Sequence, residues 1–526
     1  MKVLVSDQLG EIGIRMFEEE EGIAVDVKTG LSPDELKEII GEYNGLVIRS
    51  ATKVTADLIQ AAKKLKVVGR AGIGLDNVDI PAATQQGIVV MNTPTGNVIT
   101  TAEHAISMMM SLTRNIPRGT SSLKAGRWDK KKLQGREVFN KILGVIGFGK
   151  IGSIVADRAR GLKMRVVVHD PFVTPEQIEK AGFESVTLEK LYRHSDYITI
   201  HVPKMKETTC LLNKDAFKQM KDGVMIINCA RGGMIDEGDL DTALKSGKVA
   251  GAALDVFETE PPGTCSLLEK ENVICTPHLG ASTREAQTNV AVAVAKQIID
   301  YLKNGTIANA VNVPSVTGEL LGKMGPYLNL ADRIGGLMAQ LSKGAFKEIV
   351  IEYTGDFQGI DFTPVTISLL KGLLTPSVKD VVNYVNAGVI AKDMGIKVSE
   401  TTSAESDEYL NLITLKAVTT EMESQIAGTI FGKKRPQIVK IDGFQLSMEP
   451  EGYFAYIRNF NKPGAFGSIT SVLGKHGINI DRMNVGVSNE ESTNIVFLST
   501  DTPIPDEILD EIAALSLVES IKLVEL

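Results

Sequence analysis

The segment ILGVIGFGKIGSIVADRARGLKMRVVVHD, residues 142–170, decides the fold of this chain. An apolar, β-branched run leads into Gly147, Gly149 and Gly152, a segment with helical spacing follows, and a second apolar run ends at Asp170. A strand, a glycine-rich turn, a helix and a second strand that ends in an acid about 20 residues further on make up a dinucleotide-binding βαβ unit. Glycines that serve only strand-to-helix packing are the weaker alternative, because the whole pattern is present.

The residues around this turn indicate which dinucleotide it would hold. The glycines let backbone N–H groups approach a pyrophosphate at the helix N-terminus, and Lys150 and Ile151 are expected beside it. Asp170 is expected to accept hydrogen bonds from the ribose hydroxyls and to repel a 2′-phosphate. Because Pro171 and Phe172 come next instead of a basic residue, the sequence predicts NAD and not NADP.

Composition and charge narrow the class of protein. The 526 residues are 43% hydrophobic and 23% charged, with a formal net charge of -8, and the basic residues are scattered, so nucleic acid is not an expected partner. The four cysteines lack CxxC spacing, which predicts free thiols in the cytoplasm, and no metal site is predicted. The N-terminal run MKVLVSDQLG is typical of a strand, and no apolar segment approaches about 20 residues, so neither a signal peptide nor a membrane span is expected.

Alternating strand and helix patterns predict an α/β chain with two doubly wound parallel-sheet units. Residues 97–125 are expected to form a long helix that leads into a polar stretch between the units, and a further helix is expected to end at Gly305. The segment NVPSVTGEL, residues 312–320, interrupts the periodicity and predicts a linker. An α+β region is expected over 314–450, and a βαββαβ module over 451–526.

Three reactive side chains follow strands of the second unit, where ligands bind in open parallel sheets. Arg231 follows the strand before CARGG, Glu260 lies in FETEPP, and His278 lies in TPHLG. Removing a hydride from a secondary alcohol also requires a base for the hydroxyl proton, and imidazole suits that role. A carboxylate fixes the imidazole tautomer, and a guanidinium binds a substrate carboxylate through two N–H groups.

Each of the three side chains has an ordinary structural alternative, namely a satisfied loop histidine, an arginine that caps the sheet edge and a solvated acid. Their joint placement in a dinucleotide-binding unit favours the catalytic interpretation. Asp255 follows a strand of the same unit. The remaining histidines lack such partners and are predicted to be structural, with His201 near the cofactor: His104, His169, His194, His201 and His476.

Together, the segments GRAGIGLDNVD, MNTPTGN, GVIGFGKIG, NCARGGMIDEGDL, GAALDVFETEPP and TPHLGAST resemble the signatures of the D-2-hydroxyacid dehydrogenase family. The resemblance implies that Arg231, Glu260 and His278 are the catalytic residues. It implies cofactor contacts from Ile73, Gly147, Gly149, Lys150, Ile151, Gly152, Asp170, Val202, Cys229, Ala230, Arg231, Asp255, His278, Leu279, Gly280 and Ala281. It also implies four domains: a flavodoxin-like substrate-binding domain (1–96, completed by 285–313), a Rossmann NAD domain (97–284), an intervening domain (314–450) and an ACT regulatory domain (451–526).

Within that family, the resemblance is to long members that oxidise 3-phospho-D-glycerate to 3-phosphohydroxypyruvate with NAD, the entry to L-serine biosynthesis. It implies that Arg49 and Arg70 meet the phosphate, and that Gly72, Gly74 and Asn97 meet the carboxylate end. A surface ion pair is the alternative for each of these arginines. Another 2-hydroxy acid, such as glycerate, or a non-catalytic NAD-sensing scaffold is the alternative for the function.

The C-terminal module is similar to ACT domains that bind serine between paired copies. The matching positions are Asn459, Asn461 and Asn479, although relatives inhibited by serine often carry an imidazole or aromatic side chain at the first position. Ordinary turn chemistry is the alternative for Asn461 and Asn479. The resemblance implies L-serine as an effector and a homodimer or homotetramer, while a serine-binding protein without chemistry is a further alternative.

Overall fold

The computed structural model describes residues 1–313, 318–355, 361–378, 381–404, 409–432, 434–488 and 492–526, with the backbone alone over 318–323. Four sheets organise these residues. The predicted linker lies largely at residues 314–317, outside the described residues. The predicted domain boundaries stay a prediction.

The first sheet has five parallel strands. Its elements are β1 (Lys2–Val5), α1 (Glu11–Glu18), β2 (Ala24–Val27), α2 (Pro33–Ile39), a 3₁₀ turn (Ile40–Glu42), β3 (Gly45–Ile48), α3 (Ala56–Ala61), β4 (Val67–Arg70), α4 (Ile80–Gln85) and β5 (Val89–Met91). The strand order is β2-β1-β3-β4-β5. The inner strands β1, β3 and β4 are almost wholly buried, because helices cover both faces of a parallel sheet.

Two helices connect this sheet to the second one, α5 (Val98–Thr113) and α6 (Ile116–Lys124). The sequence predicts a long helix that leads into a polar stretch; α5 is that helix, and the polar stretch forms a second helix, α6, which was not predicted. Asn115 takes a left-handed backbone (φ 52°), and Pro117 lies in the first turn of α6. A proline cannot continue a preceding helix, since it lacks an N–H and crowds the residue before it.

The second sheet has seven parallel strands. Its elements are a 3₁₀ turn (Lys130–Lys132), β6 (Ile142–Ile146), α7 (Lys150–Gly161), β7 (Arg165–His169), α8 (Pro175–Lys180), β8 (Glu184–Ser185), α9 (Leu188–His194), β9 (Tyr197–Ile200), α10 (Lys214–Gln219), β10 (Val224–Asn228), α11 (Glu237–Lys245), β11 (Val249–Leu254), a 3₁₀ turn (Ser266–Glu269) and β12 (Val273–Cys275). The order β12-β11-β10-β9-β6-β7-β8 confirms the predicted Rossmann sheet.

The chain then returns to the first sheet through α12 (Arg284–Asn304). Ile298 and Val294 of α12 pack against Gly69 so closely that a Cβ there would lie 2.5 Å from Ile298 Cδ1. Gly305 ends the helix in the left-handed region (φ 69°), as the sequence predicts. Beyond it, the Asn312 side chain accepts a hydrogen bond from Val90 N at 2.9 Å.

The third sheet is mixed, in the order β14-β13-β15-β16-β17-β18, which confirms an α+β region. Its elements are α13 (Gly318–Leu341), β13 (Phe346–Gly355), α14 (Thr363–Leu374), α15 (Ala387–Asp393), β14 (Lys397–Ser403), β15 (Asn411–Thr419), β16 (Glu423–Phe431), β17 (Arg435–Ile441) and β18 (Phe444–Met448). Gly335 and Gly372 let α13 and α14 approach closely, because a Cβ at either would overlap the other helix's backbone.

The fourth sheet is antiparallel and confirms the predicted βαββαβ module. Its elements are β19 (Tyr453–Phe460), α16 (Ala465–Lys475), β20 (Ile480–Gly486), β21 (Thr493–Thr500), α17 (Asp506–Ala513) and β22 (Val518–Glu525). Ile457 and Val496 pack under the two helices. Phe454 and Phe497 on the other face join the core of the third sheet. In the part of the chain that the structure describes, no helix is long and apolar enough to cross a bilayer.

Candidate active site

The carboxyl ends of neighbouring parallel strands bring the predicted acid–base pair together. His278 follows β12, and Glu260 lies in the loop after β11. His278 Nδ1 lies 2.7 Å from Glu260 Oε2, and the two side chains are 45% and 37% exposed. The carboxylate therefore holds Nδ1 and leaves Nε2 available to a ligand.

A buried carboxylate fixes the backbone of the His278 loop. His278 takes a left-handed backbone (φ 55°), and its N–H donates to Asp255 O at 3.0 Å. The Asp255 carboxylate accepts hydrogen bonds from Leu279 N at 2.7 Å and Gly280 N at 2.8 Å. A left-handed non-glycine residue is uncommon, so Asp255 maintains a conformation that the loop alone would not favour.

Two side chains of helix α5 contact the same loop and its supporting carboxylate. Thr101 Oγ1 donates to Gly280 O at 2.9 Å. His104 Nε2 lies 3.2 Å from Asp255 Oδ1 and 3.1 Å from Thr276 Oγ1. Burial works against the Asp255 carboxylate, but hydrogen bonds from His104, Thr276 Oγ1 and Leu279 N outweigh it and lower the Asp255 pKa. His104 thus helps to hold the His278 loop in place through Asp255.

Arg231, just after β10, is held by both parallel-sheet units. Its Nε donates to Asp76 Oδ2 at 2.8 Å, and its Nη1 donates to Ala230 O at 2.8 Å. The guanidinium lies on Gly74, where a Cβ would overlap Arg231 Nη2. Partial burial opposes the charged form of Asp76, but the charge and hydrogen bond of Arg231 prevail and lower the Asp76 pKa.

Two further arginines lie at strand ends of the first sheet. Arg49 N donates to Asp7 Oδ2 at 2.6 Å, and Arg70 Nε donates to Arg49 O at 3.3 Å. Burial, followed by the nearby charge of Arg231, lowers the Arg70 pKa to about 10, so Arg70 is still a cation at neutral pH. Among the described residues, neither arginine forms an ion pair, so the structure does not support the alternative of a surface ion pair.

Most of these groups line one cavity of about 710 Å³, although Arg49 is not among its lining residues. It lies between the two parallel-sheet units, and its lining includes Arg70, Asp76, Arg231, Glu260 and His278. Cations from both sides, together with the His278–Glu260 pair, suit a small anionic substrate that gives up a proton.

Two asparagines predicted for or found at the cleft have a buried Oδ1 with no hydrogen-bond partner among the described residues: Asn77, which lines the cavity, and Asn97, which does not. Asn77 Nδ2 donates to Arg49 O at 2.7 Å and to Thr52 O at 2.6 Å, so it braces the Arg49 loop. Asn97 precedes the first residue of α5. A buried acceptor without a partner is costly, and a bound ligand can satisfy it.

The glycine-rich turn fits a dinucleotide. Gly147 takes a left-handed backbone (φ 94°), and a Cβ at Gly152 would overlap Gly147 O. Gly149 has open space where its Cβ would be, and α7 begins at the next residue, Lys150. The first glycine thus makes the turn, the third allows close packing, and the second leaves room for a pyrophosphate.

Asp170 lies above this turn and keeps it in place. Its carboxylate accepts hydrogen bonds from Phe148 N at 2.7 Å, Phe172 N at 2.8 Å and Val173 N at 3.0 Å. His201 lies beneath the turn, where burial lowers its pKa to about 4, so it is neutral at neutral pH.

The other predicted cofactor residues lie at strand ends or in the two loops. Val202 follows β9, Cys229 and Ala230 follow β10, and Ile73 accepts a hydrogen bond from Asn92 Nδ2 at its backbone oxygen, at 2.6 Å. Cys229 is buried, so only its backbone can face a ligand. Their cofactor contacts, and those of Leu279, Gly280 and Ala281, stay predictions.

The three predicted effector residues do not come together in one chain. Asn459 is buried at the end of β19, opposite Asn494 of β21, and Asn461 N donates to Ser492 O nearby. Asn479 N donates to Asp501 Oδ1, just beyond the other end of β21. At about 3.3 Å per residue, β21 separates Asn459 from Asn479 by roughly 20 Å.

Comparison with known proteins supports the geometry. Three family models match: the NAD binding domain of D-isomer specific 2-hydroxyacid dehydrogenases over residues 106–280, the D-3-phosphoglycerate dehydrogenase intervening domain over 323–442 and the ACT domain over 455–517. The D-3-phosphoglycerate dehydrogenase of Synechocystis is 44% identical over 97% of this chain and 92% of its own length. That of Bacillus subtilis is 41% identical over 100% of this chain and 99% of its own.

The chain belongs to the D-3-phosphoglycerate dehydrogenase family. Membership confirms the predicted enzyme class and NAD as the cofactor. A solved structure of D-lactate dehydrogenase from Aquifex aeolicus in complex with NAD and lactic acid has a TM-score of 0.54 and 27% identity, covering 60% of this chain and 100% of that one.

Two supporting residues of this family's cleft were missed at the sequence level. Asp76 lies inside the segment GRAGIGLDNVD, two residues from Gly74, but its contact with Arg231 joins residues 155 positions apart. His104, predicted to be merely structural, reaches Asp255 across 151 positions. The residue types were visible in the sequence, whereas the contacts were not.

Proposed function

We propose that this chain oxidises the 2-hydroxyl of 3-phospho-D-glycerate to give 3-phosphohydroxypyruvate. NAD, when bound, supplies the acceptor for the hydride that leaves C2. The observation that carries the proposal is a single cavity in which His278 and Glu260, 2.7 Å apart, share the lining with Arg231 and Arg70. Relatives that carry the name of this activity match the chain along nearly its whole length.

The His278–Glu260 pair moves the proton. His278 Nε2 accepts the proton of the substrate hydroxyl as the C2–H bond breaks, and the C2–O bond becomes a carbonyl. Glu260 stabilises the imidazolium that forms, because its carboxylate accepts the hydrogen bond from Nδ1. General base catalysis of this kind contributes roughly 10²–10⁴ in rate.

The arginines bind the two anionic ends of the substrate. Arg231 donates to the C1 carboxylate and orients C2, while Arg70 and Arg49 meet the phosphate from the first sheet. Because Arg49 and Arg70 have no ion-pair partner among the described residues, they are available for an anion. Asn97, together with Gly72 and Gly74, meets the carboxylate end, to which the Asn97 side-chain amide can donate through Nδ2.

The deciding experiment follows NADH formation with 3-phosphoglycerate. We expect turnover by the wild type, and a fall of about 10³-fold in kcat/KM for His278→Ala. His194→Ala, which changes an exposed histidine at the end of α9, is the matched control and keeps its activity. D-Glycerate should be a much poorer substrate, since it leaves Arg49 and Arg70 unpaired. Equal rates with both substrates would reject the phosphate assignment, and an inert wild type would reject the function.

We propose further that L-serine inhibits the enzyme by binding between ACT modules of two copies, so that the protein is a homodimer or homotetramer. The support is the roughly 20 Å between Asn459 and Asn479, which one ligand cannot span within one module. Initial rates with and without L-serine test the inhibition.

Unpaired thiols agree with a reducing compartment, so we place the protein in the cytoplasm.

A further inference from the structure

An ion pair connects the two parallel-sheet units across the cleft. Asp76 lies in the loop after β4 of the first sheet, and Arg231 lies in the loop after β10 of the second. Asp76 Oδ2 is 2.8 Å from Arg231 Nε. The side chains of Arg231 and Asp76 are 27% and 58% exposed, and both line the cavity, so the contact lies at the cavity wall.

The loop around Asp76 holds two guanidinium groups close together. Arg70 Nη1 lies against Gly72, where a Cβ would be 2.7 Å away, and Arg231 lies against Gly74. The positive charge of Arg231 acts on Arg70, and like charges in a partly buried site repel. Asp76 offsets that repulsion, because it is the carboxylate that bonds Arg231 directly.

Two of the Arg231 N–H groups donate to the protein, and the others remain to bind a ligand. Nε donates to Asp76 and Nη1 donates to Ala230 O, while Nη2 has no described hydrogen-bond partner in the protein. A guanidinium presents its donors in a rigid plane. With Nε anchored, the orientation of that plane is fixed before any substrate arrives.

We propose that Asp76 is a positioning residue that fixes the plane of the Arg231 guanidinium across the cleft, so that its remaining N–H groups meet the substrate carboxylate. This inference rests on the proposed function. Asp76 itself touches no reacting atom. It acts on C2 only through Arg231, which orients the substrate so that the C2–H bond is aligned for hydride transfer.

Because Asp76 is charged, Asp76→Asn is expected to change kcat and KM in different ways. The variant removes a negative charge beside the binding site of a polyanion, so substrate binding does not weaken and KM stays level or falls. The loosened guanidinium misaligns C2, and a misplacement of about 1 Å costs roughly 10²-fold in rate. We therefore expect kcat to fall 10- to 100-fold without a rise in KM.

Three variants distinguish a loss of Arg231 orientation from a general disturbance of the fold. Asp76→Glu restores part of kcat, because a longer carboxylate can still reach Nε. Glu38→Gln, which removes an exposed carboxylate of α2 that has no described ion pair and does not line the cavity, changes kcat by less than about twofold. In an Arg231→Lys background, Asp76→Asn has almost no further effect on kcat, because lysine has no guanidinium plane to orient.

Either of two kinetic results overturns the proposal: Asp76→Asn within twofold of wild type in kcat, or an undiminished loss in the Arg231→Lys background. A crystal structure of Asp76→Asn gives a readout that needs no turnover, and the Arg231 guanidinium is expected to leave Gly74. If the wild type fails to oxidise 3-phosphoglycerate, the proposed function falls. The position of Arg231 in that crystal structure still decides the role of Asp76.

Discussion

The catalytic cleft and the ACT module arrange their functional residues in opposite ways. In the cleft, Arg231, Glu260 and His278 come from loops after β10, β11 and β12 and meet in one cavity. In the ACT module, Asn459 and Asn479 lie at opposite ends of β21. The cleft residues all follow the carboxyl ends of parallel strands, which lie at one edge of the sheet. Asn459 lies at the end of β19 and Asn479 precedes β20, and these two strands run in the same direction because both pair antiparallel with β21. The cleft residues thus meet within one chain, whereas the two asparagines of the ACT module do not.

The largest expected effect tests whether the cleft is complete in one chain. Glu260→Gln keeps the shape of the side chain but removes the charge that stabilises imidazolium, so kcat/KM should fall about 10²-fold. In mixed oligomers of wild type and variant, activity should follow the fraction of wild-type chains. Mixed oligomers that depart from this proportionality would show that a partner chain contributes to the cleft.

The next prediction tests the ACT side of the comparison. Asn459→Ala and Asn479→Ala should each raise the serine concentration for half inhibition at least about tenfold, because each removes polar contacts with a buried ligand. Mixing the two variants should restore inhibition in part, since some interfaces then pair an intact Asn459 with an intact Asn479. Failure of mixed oligomers to regain inhibition would contradict a site shared by two copies.

A third prediction concerns the glycine-rich turn of the cleft. Gly149→Ala meets open space in the protein, so Tm should stay unchanged while the Kd for NAD rises about tenfold, because the methyl group takes the place of the pyrophosphate. Gly152→Ala overlaps Gly147 O and should lower Tm by several degrees as well. Equal Tm values for the two variants would show that the turn relaxes and that the third glycine is not a packing requirement.

The smallest effect is a pH dependence of the His278 loop. The Asp255 pKa is lower in the folded chain than its usual value of 3.8, so its carboxylate stabilises the fold fully above about pH 4 and loses that contribution as the pH falls through the folded pKa. Thermal unfolding of Asp255→Asn should therefore show a Tm a few degrees below wild type at pH 7, with a gap that narrows below about pH 4. A gap independent of pH would show that Asp255 acts by its shape alone.

Much of the fold could be predicted from local patterns. Gly147, Gly149, Gly152 and Asp170 predicted the dinucleotide unit, and the βαββαβ module was evident from its alternation. Helix α6 was not predicted, because its sequence IPRGTSSLK is mostly polar and carries no clear apolar spacing. Asp76 was missed for a different reason, since nothing local to it marks an arginine 155 positions away as its partner.

The sequence by itself determined the element types, the glycine turn and the chemistry available at strand ends, because these depend on spacing and residue type over short stretches. Only the tertiary structure decided which side chains meet: His278 with Glu260, Asp255 with the loop that carries His278, and Asp76 with Arg231. It also separated Asn459 from Asn479. The physical reason is that strand order and direction set the distances between residues far apart in sequence, and no local pattern encodes those distances.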